Sequence, residues 1–307
     1  MAQGANPAHG GVLAAVLTPL DGDLAPDHGA LVAHCRGLLD DGCHGLAVHG
    51  TTGEANSFSV DERLAMLDAL GEGGIAGNRL VPGTGCCAIP DTVSLTRKAM
   101  EVGAAAVLML PPFYYKPVTD DRLFAAYAEV IQRVGDKRLR ILLYHIPRYS
   151  GVKLTLPLIE RLVAAYPETV VGIKDSDNRF ENMTAMVDAL PGFRVFSGSD
   201  TFLLDLLRAG GAGSITACNN VAGAMSARLY AGWRDAGADD LQQELEAVRG
   251  IISDYPLIAA LKETVAQASG RDGWRRLRPP QEPLTPAQAA ELAARLDAAG
   301  FRMKRAA

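Results

Sequence analysis

The chain has 307 residues, of which 48% are hydrophobic, enough to fill the core of one large domain or two small ones. Its formal net charge of -5 comes from mixed signs with no basic block to track phosphates, which argues against nucleic acid as a partner. No apolar stretch approaches the ~20 residues of a membrane span, and the opening MAQGANPAHG lacks the regions of a signal peptide, so a cytoplasmic protein is expected.

In chain order, short aliphatic or β-branched runs recur at 12–18 (VLAAVLT), 44–50 (HGLAVHG), 79–85 (RLVPGTG) and 104–110 (AAAVLML). They continue at 140–146 (RILLYHI), 169–174 (TVVGIK), 194–198 (RVFSG) and 212–217 (AGSITA), which makes eight predicted strands. Between them, 27–42, 61–73 and 121–134 return apolar residues every three or four positions, the spacing of helices. Strands that are apolar throughout and alternate with helices are parallel and covered on their faces. Eight such units predict an α/β fold, a closed (β/α)8 TIM barrel. An open doubly wound sheet is the competitor, but its G-x-G-x-x-G turn is absent, since the first strand runs into TPLDGD. Beyond residue 220 the periodicity is helical, and Pro286 opens the last helix. The expected organisation is a barrel over 1–225 and a C-terminal helical extension over 226–307.

Catalytic groups in such a barrel come from the C-terminal ends of strands, and four ends carry unusual residues. The sixth run delivers Lys174. Flanked by apolar strand residues, this amine loses hydration, which favours the neutral form that attacks carbonyls. The same position also suits a lysine that caps the barrel and pairs with Asp175 or another carboxylate. After the second run, Gly50, Thr51, Thr52 and Gly53 offer backbone N–H groups and hydroxyls suited to a carboxylate or phosphate, although a plain turn reads the same way. Ser59 and Glu62 predict a capping box at the start of the following helix. Tyr144 is either a core residue with a satisfied hydroxyl or a proton carrier, while alternation turns His145 to the other face. Five cysteines without C-x-x-C spacing suggest neither disulfides nor zinc, with Cys86 and Cys87 filling space. His34, His44 and His49 lie ten and five residues apart on different elements, so no metal site is expected.

Taken together, GTTGE at 50–54, the Y-x-x-P of Tyr144 to Pro147, the G-x-K-D-S of 172–176, SGSD at 197–200, and RPP followed by PLTP resemble the dihydrodipicolinate synthase and N-acetylneuraminate lyase family. The resemblance spans nearly the whole chain and implies the barrel fold, no metal or organic cofactor, and chemistry through a lysine imine with pyruvate or another 2-oxo acid. By position it implies Lys174 as the Schiff-base lysine and Tyr144 as general acid and base. Thr51 and Thr52, with Gly50, would hold the 2-oxo acid carboxylate, and Ile215 would present its carbonyl to the substrate. Tyr114 matches a tyrosine lent across a dimer interface to a relay with Thr51 and Tyr144, which implies a homotetramer built as a dimer of dimers.

Where the synthases read Y-N-V-P-x-R-T, this chain places Tyr149 at the arginine's position and Arg148 one residue early, and arginine's fork is sensitive to such a shift. Arg148 and Tyr149 are accordingly expected to face the aldehyde partner. Neuraminate lyases do not usually follow their lysine with Asp-Ser, and PPFYY with SGSD leans toward branches acting on sugar acids or aromatic 2-oxo acids. The reading is therefore a class I aldolase-type carbon–carbon lyase joining or releasing pyruvate and an aldehyde. Dihydrodipicolinate synthase itself and a non-catalytic 2-oxo-acid-binding barrel are the alternatives.

Overall fold

A computed structural model describes residues 6–303; the opening MAQGA lies outside the described part. Seven parallel strands form one sheet: β1 (Gly11–Ala15), β2 (Gly45–Ala47), β3 (Val107–Met109), β4 (Ile141–His145), β5 (Val170–Asp175), β6 (Arg194–Ser197) and β7 (Gly213–Thr216). Their order is β2-β1-β7-β6-β5-β4-β3.

The expected third strand, 79–85, lies in the seam between β2 and β3 but forms no continuous ladder. It makes isolated parallel bridges, Leu46 to Leu80 and Gly83 to Leu108. Backbone bonds from Val81 N to Leu46 O (2.9 Å) and from Leu108 N to Pro82 O (2.9 Å) nevertheless close the ring, giving the (β/α)8 barrel. Two sequence features explain the interruption. Pro82 has no N–H to contribute, and the backbone at Gly83 passes so close to its neighbour that a Cβ there would stand 2.2 Å from the His49 carbonyl oxygen.

Side-chain alternation sorts the strands' residues into two environments. Leu13, Ala15, Leu142, Tyr144, Phe196 and Ile215 point inward and pack on Val81 from the seam, a plug of side chains inside the barrel. Ile141, Leu143, Ile173 and Val195 point outward and are covered by apolar faces of the helices, such as Leu123, Tyr127 and Val130. The helices form where the periodicity placed them, including His28–Asp40, Val60–Glu72 and Asp120–Val134. Each begins at a side-chain cap, and the Ser59–Glu62 capping box is present with both of its hydrogen bonds.

The C-terminal helices Ala238–Ser253, Leu257–Ser269 and Pro286–Ala298 pack against the barrel. Helix Asn219–Ala231 runs through residue 225, and Leu245, Val248, Leu261 and Leu292 share one apolar cluster with Val12, Leu46 and Leu80. No helix among the described residues is long and apolar enough to cross a membrane.

Candidate active site

β4 and β5 pair with Tyr144 opposite Lys174 and His145 opposite Asp175. Because successive residues face opposite sides, the first pair enters the barrel mouth and the second turns toward the helices. Lys174 is 4% exposed and Tyr144 3%. The Lys174 amine donates to the Tyr144 hydroxyl at 3.3 Å and lies 4.4 Å from the centre of the same ring, so the phenol shelters the amine as well as hydrogen-bonding it. The Tyr144 hydroxyl is also 3.3 Å from Thr51 Oγ1, which links amine, phenol and threonine in one line. Such hydrogen bonds commonly tighten only around a bound substrate.

The ion pair with Asp175 that sequence position allowed is not formed. Asp175 accepts instead from the Asp177 backbone N–H at 2.7 Å, and its other oxygen lies 3.3 Å from His145 Nδ1. No carboxylate among the described residues is within ion-pair reach of Lys174.

The Lys174 amine opens onto a cavity of about 400 Å³, lined also by Thr51, Thr52, Tyr144, Arg148 and Tyr149. Two other expected residues are not among those lining it. Ile215 is fully buried in the barrel interior, and Gly50 is buried within the turn, its carbonyl accepting from Ala55 N at 3.2 Å. Within that turn the close approach is at Gly53, where a Cβ would stand 2.7 Å from the Val16 carbonyl oxygen. The left-handed backbone belongs to His49 and Glu54. Tyr114 stands away from the amine, 72% exposed, with its ring edge-on to Tyr115. Its loop is tied to the mouth by Lys116 Nζ, which donates to the Ser150 carbonyl at 3.0 Å.

The histidines weighed for a metal have separate surroundings. His34 Nε2 donates to Asn220 Oδ1 at 2.9 Å, and the Val12 N–H donates to His44 Nδ1 at 3.2 Å. His49 is buried with neither ring nitrogen hydrogen-bonded. Among the described residues no group of three His, Cys, Asp or Glu is placed to hold a metal ion. Burial lowers the pKa of His34 to about 4; burial, then the nearby Arg63, lowers that of His49 to about 3.

Sequence reasoning missed the contribution of the C-terminal part. Glu54, the last residue of GTTGE, is fully enclosed as an ion pair with Lys262, whose amine also donates to the Arg276 carbonyl at 2.8 Å. The second Glu54 oxygen accepts from Arg278 N at 3.2 Å and Gln281 Nε2 at 3.3 Å. Arg278 in turn holds Glu62. The threonine loop is thereby fastened to residues more than 200 positions later, and Pro280, Gln281 and Glu282 go on to line the cavity. Burial lowers the Lys262 pKa, with Glu54 opposing the shift. The available signal was Lys262 itself, a charged side chain placed directly after the apolar run LIAAL.

Comparison with known proteins agrees with this geometry. The model of the dihydrodipicolinate synthetase family matches residues 8–299. A DapA-like lyase of Chloroflexus aurantiacus is 34% identical over 265 residues, 84% of this chain and 87% of the relative. The 4-hydroxy-tetrahydrodipicolinate synthase of Kineococcus radiotolerans is 34% identical over 95% of this chain and 94% of its own length. Among solved structures, dihydrodipicolinate synthase from Agrobacterium tumefaciens superposes with a TM-score of 0.87 at 31% identity, covering 95% of this chain and 99% of that one. A prophage protein of the dihydrodipicolinic acid synthase family from E. coli K12, in complex with pyruvate, superposes equally well at 27% identity, covering 95% and 98%. With a family match over nearly its whole length and a buried lysine at the mouth of the matching barrel, the chain belongs to the dihydrodipicolinate synthetase family of carbon–carbon lyases and aldolases that act through a lysine imine.

Proposed function

We propose that the substrate bonded to Lys174 is pyruvate or a closely related 2-oxo acid, and that the enzyme makes or breaks its bond to an aldehyde. The observation that carries this reading is the sheltered line from the Lys174 amine through the Tyr144 hydroxyl to Thr51. The neutral amine adds to the keto carbon, and the carbinolamine loses its oxygen as water to give an iminium. Tyr144 is the group placed to protonate that oxygen, and Thr51 is the group placed to return the proton to the phenol. In the cleavage direction the C4 hydroxyl of the adduct loses its proton and becomes the aldehyde carbonyl, the C3–C4 bond breaks, and its electron pair moves through C3 into the iminium nitrogen. The resulting enamine takes a proton at C3, and hydrolysis frees both the 2-oxo acid and the lysine. Addition runs the same steps in reverse.

Thr52, beside Thr51 and the Gly50 turn, is assigned to the carboxylate, whose charge persists through every step, so fixed donors aimed at it need no rearrangement. Ile215 is assigned a backbone contact with the substrate. Arg148 and Tyr149, stacked with 4.9 Å between guanidinium and ring centre, are assigned to the aldehyde side. Tyr114 is assigned to the relay of a neighbouring protomer in a homotetramer. Support comes from the large apolar residues exposed among the described ones, Tyr114, Tyr115 and Tyr149, two of which share a loop fastened to the turn carrying the third. In this reading 1–225 carries the covalent chemistry, 226–307 completes the cavity, and the enzyme works in the cytoplasm.

Sodium borohydride reduction with a panel of 2-oxo acids, followed by peptide mass mapping, tests the proposal. Pyruvate is expected to add its reduced mass to the peptide holding Lys174; an unmodified Lys174 under saturating pyruvate would end the reading. The second reading, 4-hydroxy-tetrahydrodipicolinate synthase, is favoured by the relatives of that name and by Arg148 at the cavity. It requires turnover with aspartate semialdehyde. A binding barrel without catalysis would instead hold pyruvate and give no reduced adduct.

A further inference from the structure

The cavity has a second anchored cation that no part of the reaction above uses. Arg249, on helix Ala238–Ser253, lines it from above the ends of β6 and β7. Its Nη1 lies 3.5 Å from Cys218 Sγ, just past β7, and its Nε lies 3.9 Å from Asp200 Oδ2, just past β6. Asp200 is fully buried and receives the Thr216 hydroxyl at 2.5 Å, so the residue facing Arg249 is itself fixed. Among the described residues Nη2 has no hydrogen-bond partner, and the side chain keeps 18% of its surface exposed. The guanidinium is thus held from behind and open in front.

The charges lining the cavity are Lys174, Arg148 and Arg249 against the single carboxylate of exposed Glu282. Covalent bonding removes Lys174 from the recognition of any distal group. Arg148 is an exposed side chain lying against the Tyr149 ring, whereas Arg249 is anchored at two strand ends. A planar fork with free donors at a partly desolvated site favours a carboxylate or phosphate over a hydroxyl. The adjoining wall is polar as well, with Ser176, Asn178 and Gln281.

We propose that Arg249 binds an anionic group on the end of the substrate remote from the imine, so that the aldehyde partner is an acid-bearing aldehyde rather than a neutral one. This rests on the imine reading of Lys174, and the test separates the two. Borohydride trapping at Lys174 needs no knowledge of the aldehyde. The half-saturating concentration is measured for 2-oxoglutarate and 2-oxoadipate against 2-oxopentanoate and 2-oxohexanoate, which match them in chain length without the distal carboxylate.

Wild type is expected to trap the better of the two dicarboxylates at a concentration at least about tenfold below that of its neutral counterpart. Arg249→Gln should erase the preference while leaving pyruvate trapping in place, and Arg249→Lys should keep part of it. Raised salt should narrow the wild-type difference. Equal half-saturation in wild type overturns the proposal without any variant, as does a preference that survives in folded R249Q. If R249Q does not fold, a preference that survives in folded R249M also overturns it, because no cation would then remain at this position. Pyruvate adducts without discrimination defeat this inference alone, whereas no adduct from any 2-oxo acid defeats the imine reading with it.

Discussion

On β4 and β5 two residue pairs sit one step apart and have opposite fates. Tyr144 and Lys174 enter the cavity; His145 and Asp175 turn to the helices, where the imidazole and the carboxylate lie 3.3 Å apart. Both pairs are buried and polar, and both lie at the ends of the same strands. The face of the pleat that a residue occupies decides its company, because the inward face brings the amine, the phenol and Thr51 onto one cavity while the outward face meets a smaller one lined by His145 and Asp175. In the outward pair only His145 Nδ1 meets the carboxylate, while Nε2 is buried without a partner; in the inward pair the amine meets the phenol at the cavity.

Replacing one member of each pair should expose the difference. Tyr144→Phe is expected to lower kcat by about 10²- to 10⁴-fold, the range for losing a general acid and base, while borohydride still modifies Lys174 slowly. A near-normal kcat in Y144F would assign proton transfer elsewhere. The enclosed pair of Glu54 and Lys262 extends the comparison to full charges. Lys262→Met leaves Glu54 buried without its countercharge and should cost about 3–5 kcal/mol in urea unfolding. The double variant Glu54→Gln with Lys262→Met should recover part of that loss; an additive double would mean that the two side chains act independently.

His145→Asn removes the imidazole facing Asp175 and should cost about 1–3 kcal/mol of stability with kcat near wild type. A fall in kcat without loss of stability would show that the outward pair acts on the inward one through the strands. Taken per pH unit, the mildest effect is that of acidity on His34 and His49, which have no carboxylate partner among the described residues. The folded pKa values of His34 and His49, about 4 and about 3, lie below their ordinary 6.5, so below pH 6.5 the unfolded chain binds protons that the folded chain refuses. Stability should therefore be full above pH 6.5 and decline by about 1 kcal/mol per histidine per pH unit between pH 6 and 4. Thermal melts of wild type and His34→Gln over that window should show a shallower slope in the variant.

What the sequence made legible follows from how local each signal is. Lys174 stands at the end of an uninterrupted apolar run, so the strand's end and the amine are read together. Thr51 and Thr52 sit between two glycines, and Ser59 with Glu62 announces the helix that follows. The 79–85 run has the composition of a strand and the place of one in the ring, but Pro82 and the crowded Gly83 leave it only isolated bridges. Arg249 gave no local sign of its role, and Lys262 only a charge after an apolar run, because each meets the barrel only after long stretches of chain have folded back. For Gly50 and Ile215 spacing names the strand end, and the direction of a carbonyl there depends on the turn's actual course.

The buried bond between Glu54 and Lys262 also bears on the order in which the enzyme is born. A growing polypeptide carries Lys174 and the seven strands described before position 262 is made. Until then the threonine loop carries an acid without its counterion, and the far side of the pocket is missing. The threonine loop therefore takes on its finished surroundings only once Lys262 and the 276–282 segment have packed against it.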